Sequence, residues 1–149
     1  PVKSKIALVT GSGRGIGKAI ALALAKEGMD VALNARHLPE IEATAAEIKG
    51  LGKRSMAIPC DVSDYEAVEN MVQRIIRQWG GIDVLVNNAG IALSKMWEDM
   101  ENEEWEKVVK VNLGSVLNCS RAVIGTMKQR GGGNIVNIAS MAAKSISDT

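Results

Sequence analysis

Short apolar runs alternate along the chain with longer segments in which apolar residues recur every three or four positions. The short runs predict buried strands, and they cover residues 6–9, 31–34, 56–58, 82–86 and 135–138. Strands that alternate with helices through short connections indicate an α/β fold built on a doubly wound parallel sheet of five strands. Since no linker or repeat interrupts the pattern, we expect a single domain spanning residues 1–149.

The segments between the strands have the period of amphipathic helices that cover a sheet. The second helix is predicted to begin near Pro39, and Ser63 with Glu66 three residues later has the capping-box spacing that begins a third. A single long helix is predicted from about Glu103 into the 120s. The positions predicted to be buried are Ile16, Ala19, Ile20, Ala23 and Leu24 in the first helix, Val68, Met71, Val72, Ile75, Ile76 and Trp79 in the third, and Trp105, Val108, Val109, Val116 and Ile124 in the long one.

Composition narrows the class of protein further. The net charge of +1, with basic and acidic residues interspersed, gives no electrostatic reason to expect nucleic acid as a partner. No apolar run approaches the roughly 20 residues of a membrane span, and the first residues lack a signal-peptide pattern. Cys60 and Cys119 have no metal-site spacing, so we expect no metal and interpret them as reduced thiols of a cytoplasmic protein.

A glycine-rich turn follows the first predicted strand and precedes an amphipathic helix. Gly11, Gly15 and Gly17 form the pattern GxxxGxG rather than GxGxxG. Glycine permits a tight turn and a close approach of backbone to phosphate, and the helix N-terminus offers N–H groups to an anion. We therefore predict a Rossmann-type dinucleotide site, the alternative being a turn without a ligand. The turn residues predicted to bind the cofactor are Thr10, Gly11, Ser12, Arg14, Gly15, Ile16 and Gly17.

The choice of cofactor should depend on the end of the second strand, where an acid would bind the ribose hydroxyls of NAD. The sequence there has Ala35 followed by Arg36, with no acid. Arg36 could pair with a 2′-phosphate, and Arg14 could approach from the glycine turn. We predict that NADP(H) is preferred and that NAD(H) remains possible. The alternative is that Arg36 is a solvated loop residue.

Polar motifs also follow the later strands. They are Asp61-Val62, Asn87-Asn88-Ala89-Gly90, Asn112 within Val111-Asn112-Leu113, and Ser140 after the fifth strand. Together with the glycine turn, in this order and spacing, they closely resemble the short-chain dehydrogenase/reductase family over essentially the whole chain. The resemblance is greatest to members of the 3-oxoacyl-carrier-protein reductase type.

The resemblance implies a role for each motif. Asp61 and Val62 would contact the adenine of the cofactor, and Asn88, Ala89 and Gly90 would lie along the cofactor. Ser140 would hydrogen-bond the substrate carbonyl or hydroxyl. Asn112, expected to be a buried amide, would hold a water molecule in a proton relay. Family members usually pair through the helix around Asn112, which implies a homo-oligomer, either a dimer or a tetramer.

The family's catalytic Tyr-x-x-x-Lys motif would fall just beyond Thr149, and Tyr65 is the only tyrosine in the sequence. The resemblance also implies further carboxyl-terminal strands and helices that this sequence lacks. We therefore expect the chain to be part of a longer enzyme, inactive by itself.

The function that these features predict is an NADP(H)-dependent oxidoreductase that interconverts a ketone and a secondary alcohol. A 3-oxoacyl thioester or a similar small carbonyl compound is the expected substrate. One alternative is a catalytically incompetent dinucleotide-binding fragment or regulatory module. Another is a Rossmann-like methyltransferase, against which Ala35-Arg36 and Asn87-Asn88-Ala89-Gly90 argue.

Overall fold

The computed structural model describes residues 4–140, apart from the side chain of Trp97. Five parallel strands form one sheet in the order β3-β2-β1-β4-β5. The strands are β1 (Ile6–Thr10), β2 (Asp30–Ala35), β3 (Ser55–Pro59), β4 (Val84–Asn87) and β5 (Asn134–Asn137). The strand order reverses between β1 and β4, which creates a crevice at their carboxyl ends. The prediction of a doubly wound α/β sheet is confirmed.

Five α-helices connect and cover the strands in the described part of the chain. They are α1 (Gly15–Lys26), α2 (Leu38–Gly50), α3 (Tyr65–Trp79), α4 (Asn102–Val109) and α5 (Ser115–Gln129). A 3₁₀ turn lies at Trp97–Asp99, and a π-helical turn at Lys110–Gly114 joins α4 to α5. The long helix predicted from about Glu103 into the 120s is confirmed in its extent, and the π turn is an irregularity within it, because the residues at both of its ends keep helical backbone angles.

The sheet has an apolar layer on each face because successive strand residues point to opposite sides. Ile6 and Leu8 of β1 pack with α3 and α5 on one face. Ala7 and Val9 of the same strand pack with α1 and α2 on the other. Both faces of the sheet are thus covered, as expected for a parallel sheet.

The face of α1 that packs on the sheet differs from the prediction. The buried residues are Gly17, Ala21 and Ala25, whereas Ala19 and Ala23 are exposed. Small residues four positions apart let the helix approach the strands closely. Ile16, predicted to be buried, is 65% exposed.

The start of α3 also differs from the prediction. Asp64, not Ser63, is the N-cap, and its Oδ1 accepts hydrogen bonds from the N–H groups of Glu66 (3.0 Å) and Ala67 (3.3 Å). Ser63 instead donates its N–H to Asp61 Oδ1. The predicted apolar stripe of α3 is confirmed; its buried residues are Val68, Met71, Val72 and Ile75.

The predicted burial along α4 and α5 is partly wrong. Trp105 is 50% exposed and Ile124 is 48% exposed, while Val108, Val109 and Val116 are half-buried. The face of α5 that packs inward consists of smaller and more polar residues, namely Ser115, Cys119, Val123, Thr126 and Met127. Larger apolar side chains therefore remain on the outer side of these helices.

Candidate functional site

A cavity of about 450 Å³ opens at the carboxyl ends of β1, β2 and β4. Most of its walls come from the glycine turn, the end of β2, the segment after β3 and the loop after β4, and Glu40 of α2 and Val111 of the π turn also line it. The predicted cofactor residues that line it are Gly11, Arg14, Gly15, Ile16, Gly17, Arg36, Asp61, Val62, Asn88, Ala89 and Gly90. The fold thus gathers residues from four separate parts of the sequence around one cavity.

The glycine turn leaves space for a ligand against its backbone. Gly11 and Gly15 have φ angles of +62° and +54°, a region that favours glycine. A Cβ at Gly17 would collide with the carbonyl oxygen of Gly11 and the side chain of Asn88, whereas a Cβ at Gly15 would meet nothing within 4 Å. Gly17 is therefore needed for packing, and Gly15 faces open space where a phosphate fits.

The N-terminus of α1 is suited to an anion. Arg14 is the N-cap, it forms no side-chain cap, and the first turn has no acidic residue. The first N–H groups of a helix have no intrahelical acceptor and carry a partial positive charge. Together with the space beside Gly15, these groups fit the pyrophosphate of a dinucleotide.

Thr10 and Ser12 were predicted to bind the cofactor, but their side chains are buried behind the cavity wall. Ser12 Oγ donates to the carbonyl of Asn34 (3.2 Å) and accepts from the Asn34 N–H (3.0 Å), so it extends the pairing of β1 with β2. Thr10 Oγ1 accepts from the N–H groups of Asn88 and Ala89, each at 3.0 Å. Both side chains hold the walls of the cavity rather than line it.

Asn88 completes a reciprocal arrangement with Thr10. Its Nδ2 donates to the carbonyls of Thr10 (3.0 Å) and Gly11 (3.1 Å). We call this pair of residues the Thr10–Asn88 clamp. It fixes the loop after β4 against the glycine turn, because every one of these bonds joins the ends of β1 and β4.

The end of β2 is joined to the segment after β3. The buried side chain of Asn34 donates to the carbonyls of Ile58 (3.2 Å) and Cys60 (3.1 Å). Arg36 is exposed and lies in the cavity wall with Asp61. Burial raises the pKa of Asp61, but hydrogen bonds from Ser63 and the charges of Arg36 and Lys110 outweigh it, so the net pKa is lowered.

Asn112 lies in the π turn, and the expectation that it is buried is wrong. It is exposed, and both ends of its amide bond to one residue of the loop after β4. Its Oδ1 accepts from the N–H of Ile91 (2.8 Å), and its Nδ2 donates to the Ile91 carbonyl (2.9 Å). Asn112 does not line the cavity but braces a residue that does.

Ser140 lies three residues beyond the end of β5 and is exposed. In the part of the chain described, it is not among the residues that line the cavity. The N–H of Ile138 donates to the Asn87 carbonyl, and the Asn87 amide donates to Asn137 Oδ1 (2.9 Å), so β5 stays paired with β4 just before Ser140. Ser140 therefore stands at the carboxyl edge of the sheet, two strands from the glycine turn.

Tyr65 is at the first position of α3, away from the cavity. Its hydroxyl donates to Glu69 (2.7 Å), and this hydrogen bond is the main cause that raises the pKa of Tyr65. The guanidinium of Arg121 stacks on its ring at 3.9 Å. These contacts give Tyr65 a structural role between α3 and α5.

Sequence reasoning missed several residues of the cavity wall. They are Gly13, Asn34, His37, Glu40, Cys60 and Val111. The position of Glu40 near the start of a helix that follows β2 was a signal that could have placed it near the crevice. Cys60 and Val111 carried no comparable signal, because their neighbours in the fold are distant in sequence.

Between residues 4 and 140, no group of three His, Cys, Asp or Glu side chains is arranged to hold a metal ion. Over the same residues, none of the helices combines the length and the apolar character that crossing a membrane requires.

The sequence of the chain is similar to a known protein family and to curated proteins. The family model of the short chain dehydrogenase matches residues 5–148. The 3-oxoacyl-(acyl-carrier-protein) reductase FabG of Staphylococcus epidermidis is 42% identical over 139 residues, which are 93% of this chain and 57% of that protein. The chain thus spans little more than half the length of the curated relatives it matches.

Two solved structures superpose closely on this chain. A short-chain type dehydrogenase/reductase from Mycobacterium marinum superposes with a TM-score of 0.94 at 38% identity, covering 99% of this chain and 60% of that one. L-Sorbose reductase from Gluconobacter frateurii, solved with NADPH and L-sorbose, superposes with a TM-score of 0.91 at 33% identity, covering 95% of this chain and 54% of that one. The chain belongs to the short-chain dehydrogenase family.

Proposed function

We propose that this chain carries the cofactor site of an NADP(H)-dependent oxidoreductase that interconverts a ketone and a secondary alcohol. The observation that carries the proposal is the cavity, which combines an open glycine turn with Arg36 and with no acid at the end of β2. A carboxylate at that position would favour NAD, whereas a guanidinium favours a 2′-phosphate. The NADPH complex of the related L-sorbose reductase supports the same choice.

A 3-oxoacyl thioester or a similar carbonyl compound is the substrate class that we propose. The support is the name of the Staphylococcus epidermidis relative, a 3-oxoacyl-(acyl-carrier-protein) reductase. A bound nicotinamide dinucleotide supplies or accepts the hydride in this chemistry. In our proposal Ser140 hydrogen-bonds the substrate oxygen, and Asn112 holds the loop at Ile91 and a relay water.

The remaining site residues bind and orient in this proposal. Arg14 and the first turn of α1 hold the pyrophosphate, and Arg36 holds the 2′-phosphate. Asp61 and Val62 contact the adenine. Asn88, Ala89 and Gly90 lie along the cofactor, and the Thr10–Asn88 clamp keeps that loop in place.

Measured dissociation constants for NADPH and NADH test the cofactor site. We expect tighter binding of NADPH, and we expect Arg36→Ala to weaken NADPH binding about tenfold with little effect on NADH. Arg74→Ala, on the exposed side of α3, is the matched control. Equal dissociation constants for the two cofactors would overturn the NADP(H) preference.

A second candidate function is a dinucleotide-binding module without catalysis. Two observations favour it for this chain: Ser140 lies outside the cavity lining, and Tyr65 is engaged by Glu69 away from the cavity. A panel of ketones and 3-oxoacyl thioesters incubated with NADPH separates the two candidates. Binding without turnover supports the module, and turnover by this chain supports the enzyme.

We propose in addition that the chain forms a homo-oligomer through the outer side of α4, the π turn and α5. Four large apolar side chains are exposed there, namely Trp105, Leu113, Leu117 and Ile124. Several large apolar side chains exposed along the same stretch of helix support an interaction site there. Sedimentation analysis should show Leu117→Glu dissociating the oligomer, while Glu106→Gln, an exposed polar change on α4, leaves it intact.

The free thiols of Cys60 and Cys119 support a cytoplasmic location.

A further inference from the structure

A carboxylate shares the cavity with the two arginines that the proposed function assigns to phosphate. Glu40 is the third residue of α2 and lines the cavity with Arg14 and Arg36. Among the residues that the structure describes, the ion pairs do not include Glu40, so no described Lys, Arg or His nitrogen lies within 4 Å of its carboxylate. A negative group therefore stands in the part of the cavity where positive charge is expected to attract the cofactor.

The side chain of Glu40 lies against the glycine turn. A Cβ built on Gly13 would be 2.7 Å from Glu40 Cβ and 2.9 Å from Glu40 Oε2. The hydroxyl of buried Thr44 also joins the two segments, because it lies 3.2 Å from the Glu40 carbonyl and 3.5 Å from the Gly13 carbonyl. Glu40 is thus held beside the turn by packing and by backbone contacts.

The position of this charge matters for one part of the cofactor. In a Rossmann fold the ribose 2′ position lies at the end of β2, which here is Ala35. Glu40 lies in the first turn of the helix that follows β2, five residues after Ala35. A 2′-phosphate at that point would be attracted by Arg36 and repelled by Glu40, whereas a 2′-hydroxyl carries no charge for either to act on.

We propose that Glu40 is a cofactor-specificity residue that opposes Arg36 and limits the preference for a 2′-phosphorylated dinucleotide. This inference rests on the proposed function, since it requires that the cavity hold a nicotinamide dinucleotide. The carboxylate leaves NADH binding nearly unchanged and weakens NADPH binding. The ratio of the two dissociation constants is therefore the quantity that Glu40 controls.

The experiment measures the dissociation constants of NADPH and NADH for the wild-type chain, Glu40→Gln and Glu42→Gln at low ionic strength. Glutamine keeps the size of the side chain that packs on Gly13 and removes its charge. Glu42 is exposed on the same helix and does not line the cavity, so it is the matched control. We expect Glu40→Gln to raise the preference for NADPH about three- to tenfold and Glu42→Gln to leave it unchanged.

Added salt provides a second readout, since screening at about 0.5 M should reduce the effect of Glu40→Gln. An unchanged ratio in Glu40→Gln, or an equal change in both constants, overturns the inference, because packing on Gly13 would then be the only role of Glu40. A wild-type preference for NADH would refute the proposed NADP(H) function, yet a shift of the ratio in Glu40→Gln alone would still support the role of Glu40. A wild-type chain that binds neither cofactor overturns both.

Discussion

Replacing Thr10 by valine tests how the cavity wall is held. Valine has nearly the shape of threonine, so the buried site keeps its packing and loses only the hydroxyl. That hydroxyl accepts from the N–H groups of Asn88 and Ala89, each at 3.0 Å, and donates to the Val86 carbonyl at 3.4 Å. Thr10 is 2% exposed, so water cannot take the place of the oxygen without moving the chain.

The expected loss follows from the two N–H groups left without an acceptor. A buried group that loses its partner costs about 1–3 kcal/mol. Asn88 and Ala89 are half-buried, so solvent can partly relieve them, and we expect the free energy of unfolding to fall by about 2–3 kcal/mol in Thr10→Val. Thr10→Ser keeps the acceptor and loses one methyl group, which costs about 1 kcal/mol.

Urea denaturation of the wild type, Thr10→Val and Thr10→Ser measures these differences directly. The expected order of stability is wild type, then Thr10→Ser, then Thr10→Val. NADPH binding should weaken in Thr10→Val as well, because the loop at Asn88 forms part of the cavity wall. If Thr10→Val were as stable as Thr10→Ser, or more stable, the hydroxyl would not be what holds this loop, and the role of Thr10 in the clamp would be refuted.

Three further predictions follow from the same contacts. Burial raises the pKa of Asp83, but the hydrogen bonds and charge of Arg130 outweigh it and lower the net pKa on folding. The free energy of unfolding should therefore hold above about pH 4 and decline as the pH falls through the folded pKa. Arg130→Ala should flatten that decline in urea titrations, and an unchanged slope would count against the Asp83–Arg130 pair. Burial raises the pKa of Cys60 to about 11 and of Cys119 to about 12. A thiol reagent at neutral pH should therefore label the native protein far more slowly than the unfolded protein, and NADPH should slow the labelling of Cys60 further. Equal labelling rates for native and unfolded protein would contradict the burial of the thiols. Gly17→Ala should lower the free energy of unfolding by at least about 2 kcal/mol, because the new Cβ meets the Gly11 carbonyl. Gly15→Ala should lower it by about 1 kcal/mol, because of the positive φ at that position, and should mainly weaken NADPH binding. A larger loss of stability in Gly15→Ala than in Gly17→Ala would contradict these assignments.

Most of the fold could be predicted because its signals are local. A short apolar run followed by a glycine turn indicates a strand and its exit without knowledge of the rest of the molecule. The inner face of α1 could not be predicted in the same way. Its sequence, GIGKAIALALAK, is apolar on most sides, so periodicity does not choose between faces. Close approach to the sheet decides, and it selects the small residues Gly17, Ala21 and Ala25.

The errors at the site have a tertiary origin. Asn112 was expected to be buried because its neighbours in sequence are apolar, yet its partner is the backbone of Ile91, 21 residues earlier. The π turn that contains it interrupts a helix whose sequence shows no Pro or Gly before Gly114. Ser63 and Asp64 are both good caps, and their adjacency in sequence leaves the choice to the geometry of the loop after β3.

The residues around the cavity are of two kinds, those that hold its walls and those that face a ligand. Loops at the ends of parallel strands expose backbone groups that need partners. Thr10 and Asn112 supply such partners to the loop after β4, Asn88 to the glycine turn, and Asn34 to the segment after β3. These backbone groups of the walls are thereby satisfied within the protein, and the first turn of α1 and the charged side chains remain to face a ligand.

This division has a consequence for mutants. Changes at the wall-holding side chains should lower the free energy of unfolding and weaken cofactor binding together, because both depend on the same loops. Changes at Arg36 and Glu40 should alter the relative affinity for NADPH and NADH while leaving the free energy of unfolding nearly constant, since neither forms an ion pair within the described residues. A plot of unfolding free energy against cofactor preference should therefore separate the two sets of variants along different axes, and a single correlated line would show that the walls and the charges are not independent.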